Sequence, residues 1–441
     1  MANNTIFNRI KDAGVVGAGG AGFPTHVKLN CKAEIVIANG AECEPILRVD
    51  QQLMEREAER ILRGLELAME AVGAKSGVIA TKSHYHGAVA AIKAALKNFP
   101  SIRLHEMKSY YPAGDEKSLI YEVTKRVVPT GKLPADVGVV VCNVGSLLNV
   151  ALAYGGVPVT CKYVTVSGEV NNPATYEVPI GTDAYTLLEW AGIRGDINDY
   201  VLLVGGPCMG RIVSNPHLPI TKTTGGLILL PKGHGYVQKR SGSLSRQITL
   251  ARAVCCQCSQ CTQLCPRNAL GLHVQPHKAM RAAAYGDGKL IGDPNSVLAC
   301  CSCGLCTNYA CNFGLDPASI MAELKAEFAN QGLKPVAETE ISPDPAIDTK
   351  KVPVSRLIAR MGLKKYDVPA PISPALRVNR VVIPLRQHIG APSEPIVQEG
   401  SMVSEGDLIA MIPEKALGAN IHASISGRVV KISADSIELE A

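Results

Sequence analysis

Between residues 255 and 311 the chain carries ten of its fifteen cysteines, and eight of them fall into two spaced runs. The first, Cys255-x2-Cys258-x2-Cys261-x3-Cys265, is followed at once by Pro266. That spacing holds a [4Fe–4S] cluster: three thiolates on one tight loop cap three irons, and the fourth cysteine opens a helix. The second run, Cys300, Cys303, Cys306 and Cys311, has one extra residue before its last cysteine and no proline directly after it. In two-cluster proteins the fourth cysteine of one run ligates the other cluster. By that analogy Cys255, Cys258, Cys261 and Cys311 serve one cluster and Cys265, Cys300, Cys303 and Cys306 the other. Zinc is the alternative, and it fits less well, because structural zinc loops use two pairs of ligands rather than three cysteines in successive x2 steps. Cys256 and Cys301 stand beside ligands but out of register, and read as spare thiols. The lone cysteines 31, 43, 142, 161 and 208 read as small core residues.

The remaining composition narrows the setting. A chain of 441 residues with 46% apolar content has room for two to four domains with their own cores. Lys and Arg exceed Asp and Glu only by 45 to 39, and there are one Trp and five Phe to stack on bases. Nucleic acid is therefore not an expected partner. The opening MANNTIFNRIKDAG lacks the apolar segment of a secretory signal, so a cytoplasmic chain is expected, with its cysteines reduced or ligating rather than disulfide-bonded. Val137 to Cys161 carries no charge and is long enough to cross a bilayer. Asn143, Ser146, Asn149, four glycines and Pro158 interrupt it, which predicts a buried strand and a short helix instead of a span.

From residue 35 short apolar runs (EIVIANG, GVIAT, RLHEM, VGVVVCNV) alternate with helical patterns, one of which places Leu53, Ile61, Leu65, Ala68 and Val72 on one side. Alternation of this kind predicts an α/β layer with a mostly parallel sheet over 1–160. Over 161–240 the runs YVTVSGEV, VLLVGG and LILLP, with the helix-like YTLLEWAG, predict a small α+β module. Residues 245–330 are cysteine-bearing and Ala-rich, and their fold is expected to depend on what the cysteines hold. The Pro-rich and acidic stretch 331–375 reads as a linker interrupted by the helix-like SRLIARMGLKK. The two similar halves of 376–441, VQEGSMVSEGDLIAMI and IHASISGRVVKIS, predict a compact flattened barrel.

One stretch, Gly17-Ala-Gly-Gly-Ala-Gly-Phe-Pro-Thr-His-Val-Lys28, places four glycines in six residues. Gly17-x-Gly19-x-x-Gly22 satisfies the dinucleotide fingerprint, but the helical look of the preceding IFNRIKDAG denies it the strand that fingerprint needs. Together with Asn39-Gly-Ala-Glu-Cys-Glu-Pro45, YYPAGDEKSLI (110–120) and LPADVGVVVCNVGSL (133–147), the stretch resembles the FMN and NADH site shared by the NADH-oxidising subunit of respiratory complex I and its counterpart in the Rnf complex, RnfC. The resemblance implies that Gly17, Gly19, Gly20, Gly22 and Lys28 flank FMN, with Lys28 a cation for its phosphate. It further implies that Asn143 hydrogen-bonds the flavin and that Asn39, Glu42, Glu44 and Glu116 lie near flavin and nicotinamide nucleotide. Asp115 stands where complex I commonly has Glu. VSGEVNNPATYEVPIGT resembles the ubiquitin-like β-grasp (SLBB-like) module that follows the flavin domain in these proteins, and the last 60 or so residues resemble a barrel-sandwich hybrid. Lys415 in PEKAL lacks the context of a swinging-arm lysine, so the barrel reads as unmodified.

The implied architecture is a multidomain α/β chain: a complex I-like FMN/NADH domain, a β-grasp module, a two-cluster ferredoxin-like helical domain and a C-terminal barrel-sandwich hybrid. RnfC has its barrel first, whereas here the barrel comes last. That order resembles the PduS family of cobalamin reductases from propanediol-utilisation microcompartments. The resemblance implies that NADH reduces FMN, that two [4Fe–4S] clusters carry electrons outward, and that cob(II)alamin is reduced to cob(I)alamin for an adenosyltransferase. FMN is needed because NADH delivers a hydride and clusters pass single electrons. No residue is expected as an acid–base catalyst. His388 in RQHIG lacks the aspartate of an Asp-x-His-x-x-Gly corrinoid motif, so corrinoid is expected to be met transiently or presented by a partner. A shell protein is a further implied partner, and a bacterial microcompartment the implied location. The alternatives are an Rnf-like member of a membrane NADH:ferredoxin oxidoreductase, and a non-enzymatic iron–sulfur carrier or adaptor.

Overall fold

A computed structural model describes residues 2–338 and 341–441. Its N-terminal body is built on a four-stranded parallel sheet in the order Ile102–Met107, Ser76–Lys82, Ile35–Gly40, Val139–Asn143. These are the four runs expected from the sequence, and in all but the edge strand Ile102–Met107 their apolar character reflects burial on both faces. The helix Ala58–Val72 covers one face with Ile61, Leu62, Leu65 and Ala68, all inaccessible to solvent. It crosses Val144–Tyr154 so closely that a Cβ on Gly64 would lie 1.9 Å from the carbonyl oxygen of Leu147. The uncharged stretch after Val137 thus resolves into the strand Val139–Asn143 and the helix Val144–Tyr154. Among the described residues no helix is long and apolar enough to cross a membrane.

A second, mixed sheet has the order Ala174–Pro179, Cys161–Gly168, Gly226–Pro231, Tyr200–Val204, Arg211–Val213. Only the pair Cys161–Gly168 with Gly226–Pro231 is parallel. Helix Ala184–Ala191 packs on this sheet through Leu187 and Leu188. Short helices then carry the cysteine runs, with Pro276–Tyr285 and Pro317–Asn330 packed on each other. The last residues form two small antiparallel sheets. One contains Arg380–Pro384, Ser436–Glu440, Gly427–Ile432 and Met402–Val403, the other Glu394–Pro395, Leu408–Met411 and Ile421–His422.

Residues 331–375, expected as a linker, differ from that expectation in their second half. Val352–Pro353 pairs antiparallel with Tyr110–Tyr111, and the helix Val354–Arg360 follows. Leu357, Ile358, Leu363 and Tyr366 are buried in one cluster with Tyr111, Leu203 and Leu305, so three parts of the chain close around this segment. The Pro and acidic residues that suggest a linker flank a short amphipathic piece whose apolar side finds a core. The barrel is likewise no loose appendage, since its Ile383, Val429 and Leu439 belong to the same apolar cluster as Ile6 and Leu65.

Truncating a fully buried leucine removes its transfer free energy and leaves a cavity. Leu357→Ala is therefore expected to lower stability by about 2–5 kcal/mol, whereas a surface linker position would move it by less than about 0.5 kcal/mol. The midpoint of thermal or urea unfolding measures the difference.

Candidate functional site

The glycine loop is closed at its base by a bridge between Val16 and Pro24, with the Gly17 amide donating to the Phe23 carbonyl at 3.0 Å. A helix, Ala2–Asp12, precedes it, so the loop is not the strand-to-helix turn of the dinucleotide fold. Its absent side chains have separate reasons. At Gly19 a Cβ would lie 2.6 Å from Nδ2 of Asn143, whereas at Gly20 there is open space. Gly22 has φ of +74°, and a Cβ there would meet Thr223 at 2.8 Å and His388 Cα at 3.0 Å. The Ala18 amide donates to Ser146 Oγ at 2.8 Å, and the Ala18 carbonyl accepts from Lys162 Nζ at 2.9 Å. Among the described residues the amides of Gly19, Gly20 and Ala21 make no hydrogen bond within the chain. A loop with bare, unengaged N–H groups at a cavity suits an anionic group.

Beneath the loop lie the carboxyl ends of two neighbouring parallel strands, where Asn39 and Asn143 are in register. Ligands of open α/β sheets gather at this edge. Asn143 caps its helix by accepting from the Gly145 amide at 2.8 Å, and donates to Asp50 Oδ2 at 2.8 Å. Asn39 accepts from the Ala41 amide and donates to the Gly114 carbonyl at 3.0 Å. The following turn brings in Glu42, which accepts from the Gln51 amide at 3.1 Å, and Glu44, which accepts from the Cys208 amide at 2.8 Å. A Cβ on Gly206 would lie 2.2 Å from Glu44 Oε2, so the turn after Val204 is bare to admit this carboxyl group.

These parts enclose a cavity of about 940 Å³ lined by Gly19, Gly20, Glu42, Glu44, Asn143 and Lys162 among others. A smaller cavity of about 200 Å³ continues from Gly19, Asn39 and Asn143 past Glu116 to Cys301 and Cys303. Burial pushes Glu44 up to about 7, while the amides of Cys208 and Met209 oppose that rise. Glu42 is also raised, by burial and then by the nearby charge of Asp50, and Asp50 is raised by burial. Burial lowers Lys162 to about 8. Lys28, expected to face a phosphate, lines neither cavity; its ammonium pairs with Glu116 at 2.8 Å. Gly17 and Gly22 shape the loop from behind. Asp50, Lys162, Gly206 and Tyr111 were not expected in the site. The legible hint was a lysine inside the otherwise uncharged strand Cys161–Gly168.

The cysteine runs come together in the crossed sense. The negative field at Cys261 comes from Cys311, Cys255 and Cys258, and burial with these charges pushes its thiol up to about 12. Cys265, Cys300, Cys303 and Cys306 line a cavity of about 190 Å³, together with Cys301. Burial raises the Cys265 thiol, as do the charges of Cys301 and Cys300. The two loops share one backbone design. Gln257 and Ser259 flank Cys258 with φ of 57° and 58°, and Ser302 and Gly304 flank Cys303 with φ of 57° and 70°. The left-handed residues turn amides inward, as the Ser302 amide does toward Cys300 Sγ at 3.4 Å. The extra residue of the second run is taken up by a π-helical turn, Cys306–Ala310, closed by the Cys311 amide on the Cys306 carbonyl at 3.0 Å. Among the described residues no three of His, Cys, Asp and Glu converge as ligands of a single metal ion. Thiols held this close disfavour one another's ionisation, and iron relieves the conflict, so the donor set fits the cluster chemistry.

Comparison with known proteins bears on these sites. Residues 10–152 match the family profile described as the Nuo51 FMN-binding domain, 254–316 a 4Fe-4S dicluster domain, and 358–440 the RnfC barrel sandwich hybrid domain. The chain is 43% identical over 440 residues to the cobalamin reductase PduS of Salmonella typhimurium, covering 99% of this chain and 96% of that one. It is 42% identical to PduS of Citrobacter freundii over 98% of this chain and 96% of that one. A component of the Na(+)-translocating ferredoxin:NAD(+) oxidoreductase complex of Acetobacterium woodii is 36% identical over 63% of this chain and 60% of its own length.

Gly19→Ala drives a methyl group into Asn143 and is expected to weaken flavin binding by about tenfold or more, near 1.4 kcal/mol, with iron content unchanged. Flavin released per chain after gel filtration checks this. In flavin-free protein, Glu44 holds its proton to about 7, whereas the unfolded chain releases it near 4.5. Its contribution to stability is thus complete below 4.5 and lost as pH rises through 7. Glu44→Gln keeps an acceptor for the Cys208 amide and is expected to flatten that decline in unfolding midpoints between about pH 5 and 7.5.

Proposed function

The chain belongs to the PduS cobalamin reductase family, and from that premise we propose that it is an NADH-dependent flavin and iron–sulfur reductase acting on cob(II)alamin. The balance is one NADH and two cob(II)alamin giving NAD+, a proton and two cob(I)alamin. The observation that carries this reading is the placement of Cys303 on the cavity that runs from the glycine loop. It brings a ligand of one cysteine set against the flavin loop, with no other domain between them.

When bound, FMN supplies the conversion of an electron pair into single electrons, and the two [4Fe–4S] clusters supply a one-electron path. The chain's residues bind and orient. Gly19, Gly20 and Ala21 would offer amides to the flavin phosphate, and Lys162, fixed on the Ala18 carbonyl, is a buried cation on a cavity wall that Arg56, Arg60 and Arg211 also line. Lys28 acts at second hand by orienting Glu116. Asn39 and Asn143 hold the floor, and the raised carboxyl groups of Glu42 and Glu44 keep the cavity from filling with negative charge before a dinucleotide enters. Tyr111 joins the flavin side to the cluster side: its hydroxyl donates to the Cys303 carbonyl at 2.7 Å and lies 3.5 Å from Glu44. Cys265 and Cys303 are buried, whereas Cys258 is exposed, which supports the set of Cys265, Cys300, Cys303 and Cys306 as first acceptor and the set with Cys258 as exit.

The strand order of the mixed sheet, with its first and last strands parallel at the centre and one packed helix, supports a β-grasp for that module. The boundaries near 160 and 240 are kept, while residues 350–366 are assigned to the packed body. The family placement further supports residence in a propanediol-utilisation microcompartment, with an adenosyltransferase consuming the product and a shell protein as neighbour.

Anaerobic purification followed by iron, sulfide and flavin quantitation and NADH titration tests the proposal. About eight irons and one flavin per chain are expected, with NADH bleaching the flavin and two cob(II)alamin reduced per NADH. A protein with iron but no NADH-bleachable flavin would be a carrier. Activity found only with membrane partners would instead place it with the Rnf-type proteins.

A further inference from the structure

The boundary between the flavin body and the buried cysteine set is crossed by one ion pair. Arg267 Nη2 lies 2.6 Å from Asp115 Oδ1, with side-chain exposures of only 11% and 10%. Each partner is anchored in its own element. Asp115 caps the helix Glu116–Thr124 by accepting from the Ser118 amide at 3.1 Å and its hydroxyl at 2.9 Å. Arg267 sits two residues after Cys265 in the short helix that this cysteine opens. The guanidinium lies against the sulfur of Cys301, which itself contacts Cys303. Cys301 lines both the cluster cavity and the flavin-side cavity. Among the described residues the buried Nε of Arg267 has no acceptor. A desolvated cation with a spare donor, placed against the Cys301 thiol and near Cys300, is costly unless something negative stands opposite it.

We propose that Arg267, oriented by Asp115, is a positioning residue whose guanidinium charge sets the reduction potential of the cluster held by Cys265, Cys300, Cys303 and Cys306. The inference rests on the two-cluster reading above. Each electron added to a cluster adds negative charge, and a nearby cation in a low-dielectric setting stabilises the reduced form. Asp115 is the counterweight: it holds the guanidinium in place and offsets part of its charge. The pair therefore raises the potential of the cluster nearest the flavin without leaving a bare cation in the core. The other set, on exposed Cys258 and with Cys311 on a separate turn, has a different cation beside it, Arg360 on the Cys311 carbonyl at 3.4 Å, and is not expected to respond to changes at Arg267 or Asp115.

A mediated redox titration of the anaerobic holoprotein, followed by the electron paramagnetic resonance signals of the reduced clusters, tests this without NADH or corrinoid. Arg267→Gln leaves Asp115 as an uncompensated negative charge, and one reductive wave is expected to move to more negative potential while the other stays. Asp115→Asn leaves the cation uncompensated, and the same wave is expected to move the opposite way. Arg267→Lys keeps the charge and should leave the wave close to its original place. Opposite shifts support the proposal, because a packing defect has no reason to reverse sign between the two partners. Shifts of the same sign, no shift in either variant, or a lysine variant that behaves like the glutamine one overturn it. If Arg267→Gln loses half its iron, the Asp115→Asn and Arg267→Lys waves decide by the same criteria. A wild-type protein with one wave overturns the two-cluster reading and this inference with it. Failure to reduce corrinoid with the opposed shifts intact removes only the proposed substrate.

Discussion

Mutual repulsion among eight thiols held within a short stretch of chain is the constraint on which the middle of this molecule rests. The helices around them are short, several of only four residues, and the local apolar cluster itself includes Cys265 with small side chains such as Ala279, Ala282 and Ala284. Val274, Ile291, Val297, Leu315 and Ile320 fill the rest of that cluster, and ligation at the cysteines would add its own free energy to this packing. The crossed pairing magnifies the effect. Cys265 lies beside the cysteines of the second run and Cys311 beside Cys261 of the first, so neither loop gathers its neighbouring thiols alone. The intervening helix Pro276–Tyr285 is then fixed by the same event that fixes the cysteines.

The glycine loop shows the complementary case, in which rigidity comes from polar packing between distant segments. Lys222 is buried and donates to the carbonyls of Gly14 and Asn420, both at 2.7 Å. One ammonium thereby ties the start of the loop, the mixed-sheet module and the C-terminal barrel. Gly14 has φ of +67°, and a Cβ there would lie 2.2 Å from the Asn420 carbonyl oxygen. Gly22, at the far end of the loop, is backed by Thr223 and His388 from the same two modules. A loop with four glycines carries a high entropy cost when ordered. Clamping both of its ends leaves only Gly19 to Ala21 to adapt to a ligand. The barrel thus has a structural task at the flavin loop although it lies far away in sequence.

How much of this was legible in the sequence follows from the range of each signal. Strand periodicity is local, and the parallel sheet and the uncharged strand-helix pair follow from local patterns. The failures are contacts across long sequence separations. Lys28 has the look of a phosphate cation because it follows the glycines, yet Glu116 from a later helix takes it up. Lys162 has the look of an ordinary strand residue, and only the fold of the second module aims it at the Ala18 carbonyl. Proline content makes 331–375 read as a linker, and it hides that Leu357, Ile358 and Leu363 are spaced to fill a gap left by other domains. Cys301 is out of register with the ligands, and that offset is what turns it toward Arg267 and the flavin side.

The burial gradient along the chain's sulfur path fits the differing sizes of what it must meet. At one end the flavin loop faces a partly open cavity of about 940 Å³, and burial of its carboxyl groups and of Lys162 is what shifts their ionisation. At the other end the loop around Cys258 is exposed, and Asn312 and Phe313 beside Cys311 are exposed with it. A bulky corrinoid, or a protein presenting one, has access to this loop from solvent. Separation of the two ends also keeps the raised carboxyl groups at the flavin site away from the acceptor, so the acceptor's charge need not disturb them. The left-handed residues around Cys258 and Cys303 give both cysteine runs the same local backbone form in opposite solvent settings.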